Sequence, residues 1–399
     1  MPASIDAPLR VLLVTHYFPA HRGGVEIVAH ELARRLAPRV SLRWLAADCD
    51  PPPAIPGVRV DAQPAWNLCE RRFGLPWPVW HPSGWRTLAT AVREADVVHL
   101  HDFIYPSSLV ARLLAWHHRK PVLITQHIGD IDYENPVLRA VLRGINRSVG
   151  RLMLGQADQA VFISPKVLAQ FARFTRFGVP PCYWPNGVDT SCFRPVPDDT
   201  RAALRARLGA GTDTPVVLFV GRFVQKKGLR LLRELAARQP AWQWWFAGWG
   251  DSAELDPANW PLSQVRVWTG RSGTTLAELY QAADALVLPS HGEGYPLVVQ
   301  EALACGTPVV TSADTAAGGP SQPDFIHAVP HDPVAPDPAA WMARLADVVC
   351  APVATRLRVR SQASAFASAE WNWDHLADRY ADCLRQLATR HGGVNRGDH

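Results

Sequence analysis

Two carboxylates in the segment HGEGYPLVVQEALAC, Glu293 and Glu301, stand eight positions apart with an apolar run between them. Gly292 and Gly294 permit tight or left-handed backbone around the first. Pro296 suits the first turn of a helix, and Gly306 with Pro308 would end it. Glu293 is therefore expected in a loop just before a helix, and Glu301 about one and a half turns inside it. Backbone N–H groups from Tyr295 through Leu297 to Val298, around Pro296, would favour an anion. A carboxylate accepts paired hydroxyl groups well, as on a ribose or a hexose. The spacing alone equally allows Glu301 to be a solvated helix residue and Glu293 a partner of the helix dipole.

Arg222 and Lys227 bracket the loop GRFVQKKG. A guanidinium fork and a flexible ammonium at that spacing could clamp a diphosphate from two sides, which would leave no need for a metal. The chain has no DxD triplet of the metal-binding kind in this region. Ordinary surface charge is the alternative, and Lys226 fits it. Gly23 and Gly24, in HRGGVE, could let backbone amides approach a phosphate or a sugar; a plain turn would use the same residues. His127, in LITQHIGD, and His101 with Asp102, in VVHLHDF, each end an apolar run. An imidazole there could bond a sugar hydroxyl or be a satisfied loop or core histidine. Arg139, Arg143, Arg147 and Arg151 recur every four residues through 135–156, with Leu138, Val141, Leu142, Ile145, Val149 and Leu152 between them. That pattern reads as an amphipathic helix, either a solvated face over a core or an interfacial helix on an anionic membrane.

These groups need elements to hold them. LRVLLVT at 9–15, ADVVHLH at 95–101, KPVLITQH at 120–127 and ADQAVFIS at 157–164 are apolar runs rich in β-branched residues. Such runs read as parallel strands buried on both faces, and VEIVAHELARRLA shows helical spacing. After a Pro- and Gly-rich stretch at 180–215 the pattern restarts with PVVLFVG, WQWWFAG, VRVWTG, ADALVLPS and TPVVTS. The fold class expected is α/β, with two Rossmann-like domains facing across a cleft. Ligands in such sheets bind beyond the carboxyl ends of the strands, which places Gly23, Gly24, His101, His127, Arg222, Lys227 and the Glu293 loop on one shared cavity.

The chain has 399 residues and a net charge of 41 − 36 = +5, a mild excess that suits an anionic small molecule or membrane surface and does not argue for nucleic acid. Its seven cysteines form no CxxC pair, which suits a reduced, cytoplasmic protein, peripheral at most on the inner face of the membrane. No apolar run approaches the length of a membrane span, and no signal peptide is expected.

The succession of an N-terminal GG loop, NGVD…FRP at 186–195, GRFVQKKG at 221–228 and EGYPLVVQEALACGTPVV at 293–310 resembles the GT-B glycosyltransferases of family 4. The resemblance runs from about Leu9 to Tyr380. It implies an acceptor-side domain at 1–195, completed by a C-terminal helix at 371–390 that crosses back, and a nucleotide-sugar-binding domain at 196–370. It implies a retaining, metal-independent enzyme without cofactor, moving a sugar from a nucleotide-sugar to a glycan or lipid-linked acceptor. Glu301 would hold ribose hydroxyls, Glu293 the transferred sugar, and Arg222 and Lys227 the diphosphate. Gly23 and Gly24 would approach the donor and His127 the anomeric centre, while Gly294, Tyr295, Pro296 and Leu297 would lie along the donor. Base contacts would fall near Gly270 and Arg271. The chain departs from the family after Val310, where Gly318 and Gly319 have no following Glu. The Trp- and Pro-rich segment 64–86 would shape acceptor choice or pack on itself. An epimerase or phosphorylase of the same architecture, or a non-catalytic nucleotide-sugar-binding protein, are the competing functions.

Overall fold

A computed structural model describes residues 8–21, 23–130, 136–250, 252–292, 295–322 and 324–394. Two compact units form: Met1–Asn186 with Trp373–His399, and Gly187–Asn372.

Among its described residues the first unit holds nine strands: β1 (Arg10–Val14), β2 (Ser41–Ala47), β3 (Val58–Gln63), β4 (Ala65–Trp66), β5 (Val79–Trp80), β6 (Val97–His101), β7 (Val122–Gln126), β8 (Gln159–Phe162) and β9 (Cys182–Tyr183). Seven form one sheet in the order β3-β2-β1-β6-β7-β8-β9, and its paired neighbours all run parallel. The order reverses between β1 and β6, which is where a ligand crevice opens in this class of sheet. The central strands are buried along their whole length, as their continuous apolar runs require. β2 and β3 escape the sequence pattern. β3 is an edge strand, partly solvated, and its VRVDAQ alternates polar and apolar residues.

The helix Trp373–Val394 belongs to this first unit. Tyr380 is buried with its hydroxyl 3.1 Å from Thr125 Oγ1, Arg39 bonds Asp378 at 2.7 Å, and Arg35 lies over the Trp373 ring at 5.5 Å. The segment 64–86 packs partly on itself and partly on the unit's core: the Tyr17 hydroxyl bonds Asn67 and Glu70, while Trp66 and Leu68 stay exposed. β4 and β5 pair antiparallel around the helix Leu68–Phe73, and Trp80 is fully buried against Trp85.

The stripe at 135–156 is not one α-helix. An α segment Pro136–Ile145 passes into a π segment Asn146–Gly150 and then Arg151–Gly155. The wider π turn keeps residues four apart in register, so Arg143, Arg147 and Arg151 are all exposed. The same turn changes the apolar face. Val141 and Leu152, expected on the packed side, are 52% and 56% exposed, and Val137 is 70% exposed.

The second unit holds β10 (Val216–Arg222), β11 (Gln243–Trp249), β12 (Val265–Trp268), β13 (Ala285–Leu288), β14 (Val309–Ser312) and β15 (Ile326–Val329), in the parallel order β12-β11-β10-β13-β14-β15. Its switch point lies between β10 and β13. The stretch 180–215 is not all connection: Asp198–Arg207 forms a helix of this unit. The Val188 N–H donates to the Trp371 carbonyl at 2.7 Å, so the two chain segments that border the unit run side by side.

Candidate active site

In the second unit Arg222 ends β10 and Lys227 ends a short 3-10 turn, Gln225–Lys227. Gly228 follows in the left-handed region, at φ 75°, and a Cβ there would stand 2.7 Å from the Pro289 carbonyl oxygen. Only glycine lets the cationic loop seat so closely on the end of β13. The His291 N–H then donates to the Lys226 carbonyl at 3.1 Å, joining this loop to the one after β13. The loop after β14 closes the group: Ser312 and Thr315 hydroxyls donate to the Ser290 carbonyl, and the Gly292 N–H donates to Asp314 at 3.1 Å. Glu293 and Gly294 lie outside the described residues.

The helix Leu297–Ala304 starts beside these loops. Pro296 is its N-cap, one place earlier than the first-turn position its sequence suggests, and the Val299 N–H donates to the Pro296 carbonyl at 3.0 Å. The Tyr295 ring packs 5.8 Å from Trp371. Glu301 stands in the second turn, partly buried, and accepts a 2.8 Å hydrogen bond from the Tyr280 hydroxyl. Burial pushes the Glu301 carboxyl up to about 7, and the Tyr280 bond offsets part of that rise. Tyr280 is a partner of Glu301 that the sequence pattern does not flag. Gly270 and Arg271 follow β12 at the same edge of the sheet, two strands from β10, with Gly270 at φ 69° and Arg271 exposed.

The first unit carries a separate polar cluster beyond β1, β6 and β7. His127 Nε2 and His101 Nδ1 share a hydrogen bond at 2.9 Å, and His99 Nε2 lies 2.8 Å from Thr125 Oγ1. Burial pulls His127 and His99 down to about 3 and His101 well below its ordinary value, so these imidazoles are neutral. Neutral rings suit the hydroxyl groups of an uncharged sugar better than a phosphate. Asp102 sits in the left-handed region at φ 58°. Its Oδ1 accepts from the backbone N–H of His127 at 2.7 Å and of Ile128 at 3.2 Å, so it positions the histidine loop. Burial pushes Asp102 up to about 7 despite those two donors.

Gly24 opens the helix Gly24–Leu36 and Gly23 is its N-cap. A Cβ on Gly23 would run into the Glu26 carboxyl, 2.8 Å from its Cδ, whereas one on Gly24 would meet nothing of the protein within 4 Å. Glu26 is buried and its Oε1 lies 2.8 Å from His16 Nε2. Burial raises the Glu26 carboxyl, but His16 and the N–H of the first helical turn outweigh it and leave it below the usual value. His16 in turn stacks on Tyr105 at 3.7 Å. Neither His16 nor Glu26 stands out in the sequence; the signal available was an acid two places after a Gly-Gly pair.

The second unit matches the family model described as glycosyl transferases group 1, over residues 200–321, and the first matches glycosyltransferase family 4, over residues 22–191. The D-inositol 3-phosphate glycosyltransferase of Xylanimonas cellulosilytica is 31% identical, with 92% of this chain and 93% of the relative covered. Among solved structures, sucrose-phosphate synthase of Thermosynechococcus elongatus superposes with a TM-score of 0.75 at 22% identity, covering 96% of this chain and 100% of that one. Anabaena HepE, crystallised with UDP-glucose, gives 0.71 at 16% identity, covering 95% and 100%. Two doubly wound parallel units, with the cationic loop and the tyrosine-held glutamate on one of them, define a glycosyltransferase of the GT-B fold. The chain belongs to family 4 of these enzymes.

Proposed function

We propose that this enzyme moves a sugar from a nucleotide-sugar to a hydroxyl group of a glycan or lipid-linked acceptor, with retention at the anomeric carbon and without a metal. The observation that carries the reading is Glu301. Held by Tyr280, it stands on the helix that follows β13, the strand next to β10, whose end carries Arg222, so a diol acceptor and a diphosphate grip belong to the same unit. The UDP-glucose bound to HepE, a protein of the same fold, supports this donor class.

Arg222 and Lys227 neutralise the diphosphate as the bond from the anomeric carbon to its phosphate oxygen breaks. The acceptor oxygen forms its bond to that carbon on the same face, and its proton passes to the departing phosphate oxygen. His101 and His127, neutral and hydrogen-bonded to each other, serve hydroxyl groups. The relative from Xylanimonas is named for an inositol phosphate acceptor. A lipid-linked acceptor is favoured here by the exposed Val137, Val141 and Leu152 alongside Arg143, Arg147 and Arg151, a surface suited to an anionic bilayer. No helix among the described residues is long and apolar enough to cross a membrane.

The test is nucleotide release from UDP-, GDP- and ADP-sugars, with and without acceptor. The acceptors are D-inositol 3-phosphate and lipid-linked glycans, and each reaction is run in EDTA. Release that rises with a lipid-linked glycan and survives EDTA supports the proposal. Binding without turnover on every pair, or a strict metal requirement, overturns it.

A further inference from the structure

At the amino-terminal edge of the second sheet, opposite the loops of Arg222 and Lys227, one carboxylate is surrounded by guanidinium groups. Asp284 immediately precedes β13 and Pro308 immediately precedes β14, which defines the edge. Arg201 Nη2 lies 2.7 Å from Asp284 Oδ1, Arg205 Nη1 3.1 Å from Oδ2, and Arg356 Nη1 3.7 Å from Oδ1. The Val216 N–H also donates to Oδ2 at 2.9 Å. Arg360, one helical turn beyond Arg356 on the helix Val353–Glu370, donates to the carbonyls of Gln281 and Ala283, which Arg201 also contacts.

Part of this is structural. The helix Gly273–Ala282 ends here, and its last carbonyls need donors, which the arginines provide. Capping does not require so many cations around one buried carboxylate. Arg205 is 3% exposed and its Nε has no partner among the described residues. Burial lowers the pKa of Arg205, and burial with the nearby Arg201 charge pulls Arg360 down to about 10. The cations crowd one another, and an incoming anion would relieve them.

The group opens onto a cavity of about 370 Å³. Arg201, Arg356 and Arg360 form its cationic end, and Val348, Ala351 and Leu357 an apolar wall. Asp198, Asp324 and Asp347 also line it, but all three are exposed on the rim, where solvent and salt screen them. A cavity of this size with a few convergent charged groups and an apolar wall has the form of a small-molecule site.

We propose that this cavity binds a small organic phosphate, with the phosphate on Arg201, Arg356 and Arg360 and the body of the molecule against the apolar wall. Guanidinium forks arriving from two helices match a phosphate's several oxygens, and a dianion balances the surplus charge around Asp284. The site lies at the opposite sheet edge from the donor loops, so the two can be separated by mutation.

Phenyl phosphate is the probe, because it joins a dianionic head to an apolar body. Its binding is measured by calorimetry on the full chain, on Arg356→Gln and on Lys227→Ala, with phenol as the uncharged control. Arg356 is chosen because its side chain is 38% exposed and its 3.7 Å contact is the longest of the three ion pairs to Asp284, so its loss leaves the helix cap in place. Wild type and Lys227→Ala should bind with equal affinity, Arg356→Gln at least about tenfold more weakly, and phenol should not bind. Three results overturn the assignment: no saturable binding to wild type, equal binding by Arg356→Gln, or loss of binding in Lys227→Ala, which would place the phosphate in the donor loops.

Discussion

The Tyr280 hydroxyl donates a 2.8 Å hydrogen bond to Glu301 Oε2, across two helices that follow different strands. The bond engages Oε2 and fixes the carboxylate's direction, and in the proposed function Oε1 takes the ribose hydroxyl groups. Glu301→Ala should weaken nucleotide binding by about 1–3 kcal/mol, the scale of leaving a polar partner unmatched, and Tyr280→Phe by less. Calorimetry with the free nucleotide measures both, and unchanged affinity in Glu301→Ala removes it from the site.

The same carboxyl gives a pH signature. Its pKa in the folded chain is raised from 4.5 to about 7. Its contribution to stability is therefore fully present below 4.5 and is lost as pH rises through about 7. Ribose hydroxyls donate to the ionised form, so nucleotide affinity should climb across the same interval. Glu301→Gln should flatten the step relative to wild type; an identical profile in the two proteins would assign the titration elsewhere.

In the proposed reaction Arg222 and Lys227 act on developing charge, so Arg222→Ala and Lys227→Ala should each raise the barrier to turnover by about 2–4 kcal/mol. The effect belongs mainly in kcat. A change confined to KM would mean that the two cations only hold the ground state.

Asp102 is a positioning residue for His127, and its backbone at φ 58° narrows the tolerated replacements. Asparagine adopts that region and keeps an acceptor oxygen, whereas alanine does neither. Asp102→Ala should cost about 1–3 kcal/mol of stability through the two stranded N–H groups. Asp102→Asn should recover most of it, in both urea unfolding and activity. The wild-type carboxyl, raised from 3.8 to about 7, loses its contribution to stability as pH rises through that interval, and Asp102→Asn should not show this loss. Equal damage from both replacements would show that the acceptor oxygen is not what matters.

The exposed face of residues 137–152 should bring the protein to anionic vesicles, less so as salt rises. Val137→Ser with Val141→Ser should weaken co-sedimentation even at low salt, because insertion of the apolar side chains is lost. Vesicle binding that ignores both salt and these substitutions would exclude this surface.

Much of the frame was legible before any coordinates. The apolar runs at 9–15, 95–101, 120–127 and 157–164 are strands because a parallel sheet buries both faces, so its core strands lack alternation. β3 and β15 were not legible, since edge strands are short or partly solvated and their residues alternate like loops. The helix Asp198–Arg207 was hidden by the Pro- and Gly-rich residues around it. The break at Asn146–Gly150 was hidden because a four-residue repeat looks the same in an α-helix and across a π turn.

The order of residues alone determined two doubly wound units, the strand-end placement of Arg222, Lys227 and His127, and a helix bearing Glu301. Tertiary structure alone decided which side chains meet. Tyr280 reaches Glu301, His16 reaches Glu26, His101 reaches His127, and Arg201 reaches Asp284. The reason is that strand order sets these meetings. Periodicity reports whether a segment is a strand or a helix and which face is apolar, but it carries no record of which distant segment lies alongside.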